Sequence, residues 1–489
     1  MDQCANALLA FPPQDDSLNT NETYNEAALV HVQQLGLFIK DRSKELVGFS
    51  TSLLNILDPA IHSLSYLAVL HQLVVPHLAT SVPQAFVLEK LVTFLMKFDG
   101  RQCRYAGSML LDILNAVGSR TLLPPSVAVE TLSSALLKLD PSATMFTHLH
   151  HTLVVLAYTT DVMNPALPVI DSDIVYFPGM ANQETGQYLC DLKLPPYAYI
   201  SRSTGLADNV TSSMVLEYDF LCGMIYCTKR DWEKARVAFG RVVTYPVKEA
   251  GCSKIMVDAY KKWALVSLLS TGSFANASPF ITTSTHKIFN TLGNHYTALA
   301  ATFASDDVEK LLVEASQHAH IWQEDGNASL VEEVLATYQK WRVLSLRDIY
   351  TKLSIAEIRK ATKSGETGQA LPTDEDVEAL IQTMIIGGML NGVIEKNDDG
   401  TKFLTFLPSV VYQPEAEFDE ECARIMERLK GVGAVIAATN QRLGTSKDYI
   451  KWSIRESRRD KSGEAHDAVP EFESHIDDED LMGGVMATG

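Results

Sequence analysis

Apolar residues recur at three- and four-residue spacing along most of the chain, and short polar breaks separate these runs. This spacing is typical of amphipathic helices. Over residues 1–158 it predicts stacked helical hairpins. Residues 159–208 differ because they contain many prolines and polar turn formers, so an irregular connection with one or two short helices is expected there. Helical pairs resume over residues 209–336.

The segment from Met214 to Pro246 carries the best repeat signal. Gly223 and Tyr226 on one predicted helix, and Ala235 and Phe239 on the next, keep the spacing of a tetratricopeptide unit. In such units small residues let two antiparallel helices approach, and aromatic side chains fill the gap. The match is incomplete, because Asp219 stands where an aromatic is usual and the closing proline comes one position early. Helix pairs of this kind build an extended surface that favours partner binding over small-molecule chemistry.

Residues 337–411 predict a winged helix. Ser354 and Glu357 have the form of a capping box at the start of one helix. Thr373 caps a second helix, which Gly387 and Gly388 end. The apolar stripe of that second helix consists of Val377, Leu380, Ile381, Met384 and Ile385.

Two strands complete this module in the sequence. Val393 and Ile394 suit the first strand, and Phe403, Leu404 and Phe406 suit the second. Asp399-Gly400 between them is a hairpin signal, so the wing is KNDDGT. An exposed strand edge here would present free amides and carbonyls to another protein. The alternative is a module that only caps the helical stack.

Residues 412–456 predict one long amphipathic helix, and residues 457–489 predict an acidic disordered tail. Phe418, Cys422, Ile425, Leu429, Val432 and Ile436 form the stripe of the helix, and Leu443 and Ile450 would prolong it. An apolar stripe on a helix that follows a complete winged helix suggests packing against helices of other chains. Docking back on the chain's own solenoid is the alternative.

Charge argues against nucleic acid. The net charge is −19, and residues 341–411 hold eight basic against ten acidic side chains. No Lys or Arg lies between Thr373 and Gly388, whereas a winged helix that binds DNA needs positive charge against phosphates.

Three features of the sequence bear on where the protein is found. No uncharged apolar run reaches eighteen residues, Asp2 stands where a signal peptide would be basic, and seven cysteines fit a reducing compartment. We expect an intracellular protein, cytoplasmic and nuclear.

A search for catalytic motifs yields one near miss. His148-Leu-His150 with Asp161 approaches the motif of JAMM metal-dependent isopeptidases, but Tyr158 occupies the serine position. Imidazoles at i and i+2 of a helix point to different faces. We therefore predict a helix with partly exposed histidines and ordinary core thiols at Cys222 and Cys227. No catalytic residue, cofactor or metal site is predicted.

Helical repeats, one winged helix and a carboxyl-terminal helix together resemble the PCI family, shared by the proteasome lid, the COP9 signalosome and a translation initiation factor. Within that family the chain is most similar to fungal subunit three of the COP9 signalosome. The resemblance lies in ALPVIDSDI at 166–174, in residues 218–246, in MVDAYKKWALVSLL at 256–269 and in the winged helix. It implies a mostly α fold: a right-handed tetratricopeptide-like solenoid, a winged helix with a small β-hairpin sheet, and a long final helix.

The resemblance also implies a function without catalysis. In such complexes the winged helices pair edge to edge and the carboxyl-terminal helices bundle. Removal of Nedd8 from cullins resides in another subunit, so cullin-RING ubiquitin ligases would be indirect partners. A proteasome-lid subunit and, from another class, a nucleic-acid-binding winged-helix protein remain the alternatives. The residues expected to contact other subunits are Val393, Phe403, Leu404 and Phe406 in the sheet and Ile425, Leu429, Val432 and Ile436 in the helix.

Overall fold

The computed structural model describes residues 2–13, 20–75, 82–178, 188–246, 252–275, 281–305, 307–397, 400–407, 414–445, 447 and 449–455. The chain divides into two units, residues 1–412 and residues 413–489. The predicted tail at 457–489 and the residue Asp399 of the predicted turn lie outside the described residues.

The first part of the larger unit is helical, as the apolar spacing predicts. Its helices are α1 (Asp2–Leu8), α2 (Asn21–Ile56), α3 (Ser63–Val74), α4 (Gln84–Lys97), α5 (Gly100–Cys103), α6 (Gly107–Gly118), α7 (Pro125–Leu139), α8 (His148–Thr159), α9 (Leu167–Ile170) and α10 (Pro196–Tyr199). Local chemistry sets several starts. Thr20 caps α2 by accepting from the Thr23 amide, and Pro125 opens α7, where a missing amide costs nothing.

The described parts of the proline-rich connection, residues 159–178 and 188–208, are irregular with short helices, as predicted, and they pack against the helices before them. Arg104 donates to the carbonyls of Leu189 and Asp191 at 2.9 Å, and its guanidinium lies 3.5 Å from the ring centre of Tyr199. The Tyr199 hydroxyl donates to the Leu139 carbonyl at 2.8 Å. One continuous apolar core therefore runs from α1 through this connection to α14 (Thr283–Leu292).

The second part of the solenoid is again helical. Besides α14 its helices are α11 (Ser212–Lys229), α12 (Trp232–Val243), α13 (Lys254–Thr271), α15 (Asn294–Ala304), α16 (Val308–Gln317), α17 (Ala319–Glu324) and α18 (Ala328–Ser345). The predicted boundary between residues 336 and 337 falls inside α18, whose Val343 belongs to the winged-helix core. The solenoid and the winged helix thus share one helix.

The predicted tetratricopeptide unit is formed by α11 and α12. A Cβ on Gly223 would lie 2.7 Å from the Phe239 ring, so the two helices approach at a distance that only glycine allows. Asp219, which replaces the usual aromatic, instead accepts from Arg241 Nε at 2.8 Å. An ion pair between the two helices thus takes the place of an aromatic contact.

Replacing Gly223 by valine should destabilise the solenoid. The added side chain would have to displace the buried Phe239 ring, and overpacking of this kind costs about 1–3 kcal/mol. Denaturant unfolding of the isolated chain measures the loss. Gly36→Ala is the control, because nothing lies within 4 Å of its Cβ position on α2 and the exchange favours a helix. Equal midpoints for wild type and Gly223→Val would contradict the close approach.

The winged helix contains one strand more than the sequence predicts. Its elements are β1 (Lys352–Ser354), α19 (Ile355–Ala361), α20 (Asp374–Ile386), β2 (Gly392–Lys396) and β3 (Lys402–Phe406). Both predicted caps are confirmed as reciprocal capping boxes, Ser354 with Glu357 and Thr373 with Asp376. On α20 the predicted stripe faces a small core, in which Val377, Ile381 and Met384 are buried.

The smaller unit contains α21 (Glu415–Thr445), the predicted amphipathic helix. Of the positions that would prolong its stripe, the side chain of Leu443 lies outside the described residues, and Ile450 is helical and exposed.

Candidate assembly surfaces

The position of β3 in the sheet corrects one prediction. The sheet order is β1-β3-β2, with both pairings antiparallel, so β3 is the central strand. Phe403, Leu404 and Phe406 therefore cannot offer a free backbone edge, because β1 and β2 already pair with both sides of their strand. The sequence prediction failed here because it lacked β1.

Burial separates the predicted contact residues of the sheet into two groups. Leu404 is fully buried and Phe406 is 8% exposed, and both belong to the winged-helix core. Val393 is 47% exposed on the opposite face, beside its partner Thr405. Phe403 shares that outer face, with the Lys352 ammonium 5.3 Å from its ring centre. Of the four, only Val393 and Phe403 have side chains within reach of another chain.

The hydrogen bonds at the two ends of the β2–β3 pair show which residues of β2 bond to β3 through their backbone amides and carbonyls. The Leu407 amide donates to the Asn391 carbonyl at 2.9 Å, and the Asn397 amide donates to the Thr401 carbonyl at 3.0 Å. Bonded and non-bonded residue pairs alternate along an antiparallel ladder. Residues 391, 393, 395 and 397 are therefore the ones that bond to β3.

The outer edge of β2 follows from this alternation. The amides and carbonyls of Gly392, Ile394 and Lys396 point away from β3, to the side where no further strand pairs among the described residues. Such a row is a template for an added strand. We call residues 392–396 the β2 edge. The sequence also predicts an exposed edge around Val393. The second strand of that prediction, β3, is the central strand and does not contribute to the edge.

The opposite edge of the sheet is blunted. β1 has only three residues and leads directly into α19. The Ser354 amide, which would point outward, donates instead to the Glu357 carboxylate at 3.0 Å. Capping of α19 thus consumes a donor of this edge, and the β2 edge is the better site for an added strand.

The charges around α20 disfavour phosphate binding. Asp374, Glu375 and Asp376 occupy its first turn. Two of the basic residues nearby are engaged, since Lys402 pairs with Glu378 and Arg359 lies 3.1 Å from Asp374. The helix that would enter a DNA groove is therefore acidic, as the sequence indicates.

The stripe of α21 is exposed. The exposed fractions are 47% for Ile425, 62% for Leu429, 41% for Val432 and 53% for Ile436, and Phe418 on the same stripe is 56% exposed. Five large apolar side chains along one helix face form a surface of the kind that packs against other helices. We call this the α21 stripe.

The histidines of the near-miss motif are buried, which corrects the prediction of partly exposed rings. His148 Nε2 lies 2.9 Å from Asn115 Oδ1, and His150 Nδ1 belongs to the capping box of α8 with Thr147. The two imidazoles thus serve separate structural contacts. In the described part of the chain, the one group of three metal-competent side chains lies elsewhere and does not include them.

Buried histidines make the solenoid acid-sensitive. Burial lowers the pKa of His150 to about 3 and that of His31 to about 4, from an ordinary 6.5. Above pH 6.5 the rings are neutral whether the chain is folded or unfolded. As the pH falls below 6.5, the unfolded chain binds protons that the folded chain rejects, so the free energy of unfolding decreases.

His31→Phe should therefore reduce the loss of stability between pH 6.5 and pH 4. The titration of this one ring is worth on the order of 3 kcal/mol at the acid end. Urea unfolding across this pH range measures the slope, and His320→Gln at an exposed position serves as the control. Parallel pH profiles of the wild type and His31→Phe would contradict the assignment.

Two further observations concern membrane-spanning helices and the cysteines. Within the described ranges, no helix has both the length and the apolar character that crossing a bilayer requires. All seven cysteines are free, and Cys222 is buried while Cys227 is half-buried. The predicted core thiols are confirmed for Cys222 and are partly buried at Cys227.

Comparison with known proteins gives a consistent result. The family model described as COP9 signalosome complex subunit 3, N-terminal helical repeats, matches residues 31–284. A Neurospora crassa protein named COP9 signalosome complex subunit 3 is 38% identical over 499 residues, covering 100% of both chains. Proteins of the same name from Emericella nidulans and Arabidopsis thaliana are 28% and 24% identical. They cover 88% of this chain each, and 89% and 90% of their own lengths. The chain therefore belongs to the family of COP9 signalosome complex subunit 3.

Proposed function

We propose that this chain is a non-catalytic scaffold subunit of the COP9 signalosome, the complex that removes Nedd8 from cullin subunits of ubiquitin ligases. The observation that carries the proposal is the β2 edge. Within the part of the chain that the structure describes, no strand pairs with this edge of the winged helix, and a strand of a neighbouring subunit would extend the sheet there. Cullin-RING ligases would be reached only through the assembled complex, in the cytoplasm and nucleus.

The α21 stripe supplies the second contact of the proposal. Side chains four residues apart, such as Ile425 and Leu429, lie on one face of the helix and are about half exposed. Burying the exposed half of one such side chain against a partner helix gains about 1 kcal/mol, roughly half of the value for complete burial. Together with the β2 edge, a bundle with helices of other subunits would therefore attach the chain to the complex through two independent surfaces.

The absence of a catalytic role belongs to the same proposal. The H-x-H segment that approached an isopeptidase motif is buried and used for helix capping and packing. A nucleophile or metal-bound water needs access to substrate, which these imidazoles lack. The deneddylating centre would be in another subunit.

Affinity purification of the tagged chain from its own cells, followed by mass spectrometry, tests the proposal. We expect the other signalosome subunits to accompany it in stoichiometric amounts. Recovery as a lone monomer would reject the scaffold role. Co-purification of proteasome ATPases instead would favour the lid alternative, and the full-length match to signalosome relatives argues against that outcome.

A nucleic-acid-binding role is the weakest alternative. It requires salt-dependent affinity for phosphates, which the acidic first turn of α20 opposes. Filter binding at low salt should show no retention of DNA or RNA by the purified chain.

A further inference from the structure

Three side chains with metal-binding atoms converge between α15 and α16. They are His295 near the start of α15, Glu314 on α16, and His318 at the end of α16. One potential ligand atom of each lies within 4.8 Å of those of the other two. The imidazole centres of His295 and His318 are 4.2 Å apart. No sequence motif marks this group, because His295 lies 19 residues before Glu314.

The arrangement has the features of a metal site. Glu314 and His318 are four residues apart, a spacing that puts two ligands on one face of a helix, and His295 approaches from the neighbouring helix. Zinc bonds of roughly 2.0–2.2 Å hold ligand atoms of one ion about 3–4 Å apart. Small side-chain rotations would therefore close a 4.8 Å triangle around an ion.

The contacts and the partial exposure of His318 and Glu314 leave ligand atoms accessible to a divalent ion. His318 Nδ1 lies 3.2 Å from the Glu314 carbonyl oxygen and 3.2 Å from its carboxylate. When Nδ1–H donates to the carbonyl, Nε2 remains available as a ligand and the carboxylate is free to bind. The side chains of His318 and Glu314 are 17% and 20% exposed. Solvent can therefore reach a fourth coordination position.

The cluster rests on rigid packing. Tyr296 and Trp322 next to it are buried, with ring centres 4.8 Å apart. The Trp322 indole donates to the Ala315 carbonyl at 2.9 Å, which ties α17 to α16. Ligands held by packed elements are already placed for binding and do not have to be ordered by the metal.

We propose that His295, Glu314 and His318 form a site for a divalent transition metal, with zinc as the expected ion. Two imidazoles and one carboxylate with an open fourth position are a donor set that zinc prefers. The ion would connect α15 to α16 and thereby stabilise this part of the solenoid. The site is independent of the β2 edge and of the α21 stripe.

Cobalt spectroscopy and calorimetry with the full chain test the site. After treatment with a chelator, titration with CoCl2 should give the visible absorption of tetrahedral cobalt at one ion per chain, and ZnCl2 should displace it. The His295→Ala/His318→Ala double variant should bind zinc at least about a hundredfold more weakly in calorimetry. Glu314→Gln, which keeps the side-chain shape, should weaken binding by at least about tenfold.

A matched control separates this site from scattered surface histidines. His71 also lies 3.0 Å from a carboxylate, that of Asp112, but belongs to no group of three ligands among the described residues. His71→Ala should bind zinc as the wild type does. Unchanged binding by both Glu314→Gln and the folded double variant, equal loss in His71→Ala, or no stoichiometric binding by the wild type would each overturn the proposal.

Discussion

Replacing Ile394 by proline is expected to abolish incorporation of the chain into its complex while the isolated chain stays folded. The Ile394 amide points away from β3, so its loss removes no bond within the sheet. Proline is tolerated at such positions of an edge strand. Its ring would nevertheless block an incoming strand and remove a donor from the β2 edge. We expect at least about a tenfold loss of incorporation, measured by co-purification of the tagged variant.

Two other substitutions separate the loss of the Ile394 amide from the loss of its side chain and from unfolding of the hairpin. Ile394→Ala removes most of the same side chain but keeps the amide, so incorporation should persist. Val393→Pro removes an amide that bonds to β3 and should unfold the hairpin instead. If the folded Ile394→Pro variant assembles as well as Ile394→Ala, the β2 edge is not an interface.

The second large effect is expected at the α21 stripe. Replacing Ile425 and Leu429 together by glutamate places two charges on the exposed apolar face, which a partner helix would have to desolvate. Incorporation should fall by at least about tenfold. The thermal midpoint of the isolated chain should not change, because both side chains are already about half exposed.

Ala423→Glu with Gly431→Glu is the matched control for this prediction. Both positions are exposed on the other side of α21, and nothing lies within 4 Å of the Cβ position of Gly431. The control adds the same two charges away from the stripe, so incorporation should be retained. A lowered midpoint in the Ile425/Leu429 variant would instead favour docking of the stripe on its own chain.

Much of the fold could be predicted from local chemistry. The capping residues Ser354 and Thr373 mark helix starts because their hydroxyls satisfy orphan amides, whatever the rest of the chain does. The close approach of α11 and α12 follows from Gly223 opposite Phe239, a pairing whose spacing is local. These signals depend on residues near one another in sequence.

The edge assignment required information that local patterns lack. β1 is three residues long, too short to show alternation, and it pairs with β3 some fifty residues later. Without β1, the strand from Phe403 to Phe406 looks like an edge; with it, that strand is central. The short strand Lys352–Ser354 therefore moves the expected interface from β3 to residues 392–396.

Tertiary packing explains the other differences. The proline-rich connection is irregular by sequence, yet Arg104 and Tyr199 anchor it to helices some 60 to 90 residues away. The predicted exposure of His148 and His150 failed because neighbouring helices cover both rings. Similarly, His295 meets His318 only because α15 packs on α16.

Hydrogen exchange of the chain alone and within the assembled complex tests the central claim most directly. In the isolated chain the Ile394 and Lys396 amides should exchange fast, whereas the amides from Phe403 to Phe406 should be protected by their two neighbouring strands. Assembly should protect Ile394 and Lys396 and leave β3 unchanged. Fast exchange at Ile394 and Lys396 in the intact complex would contradict an added strand at the β2 edge.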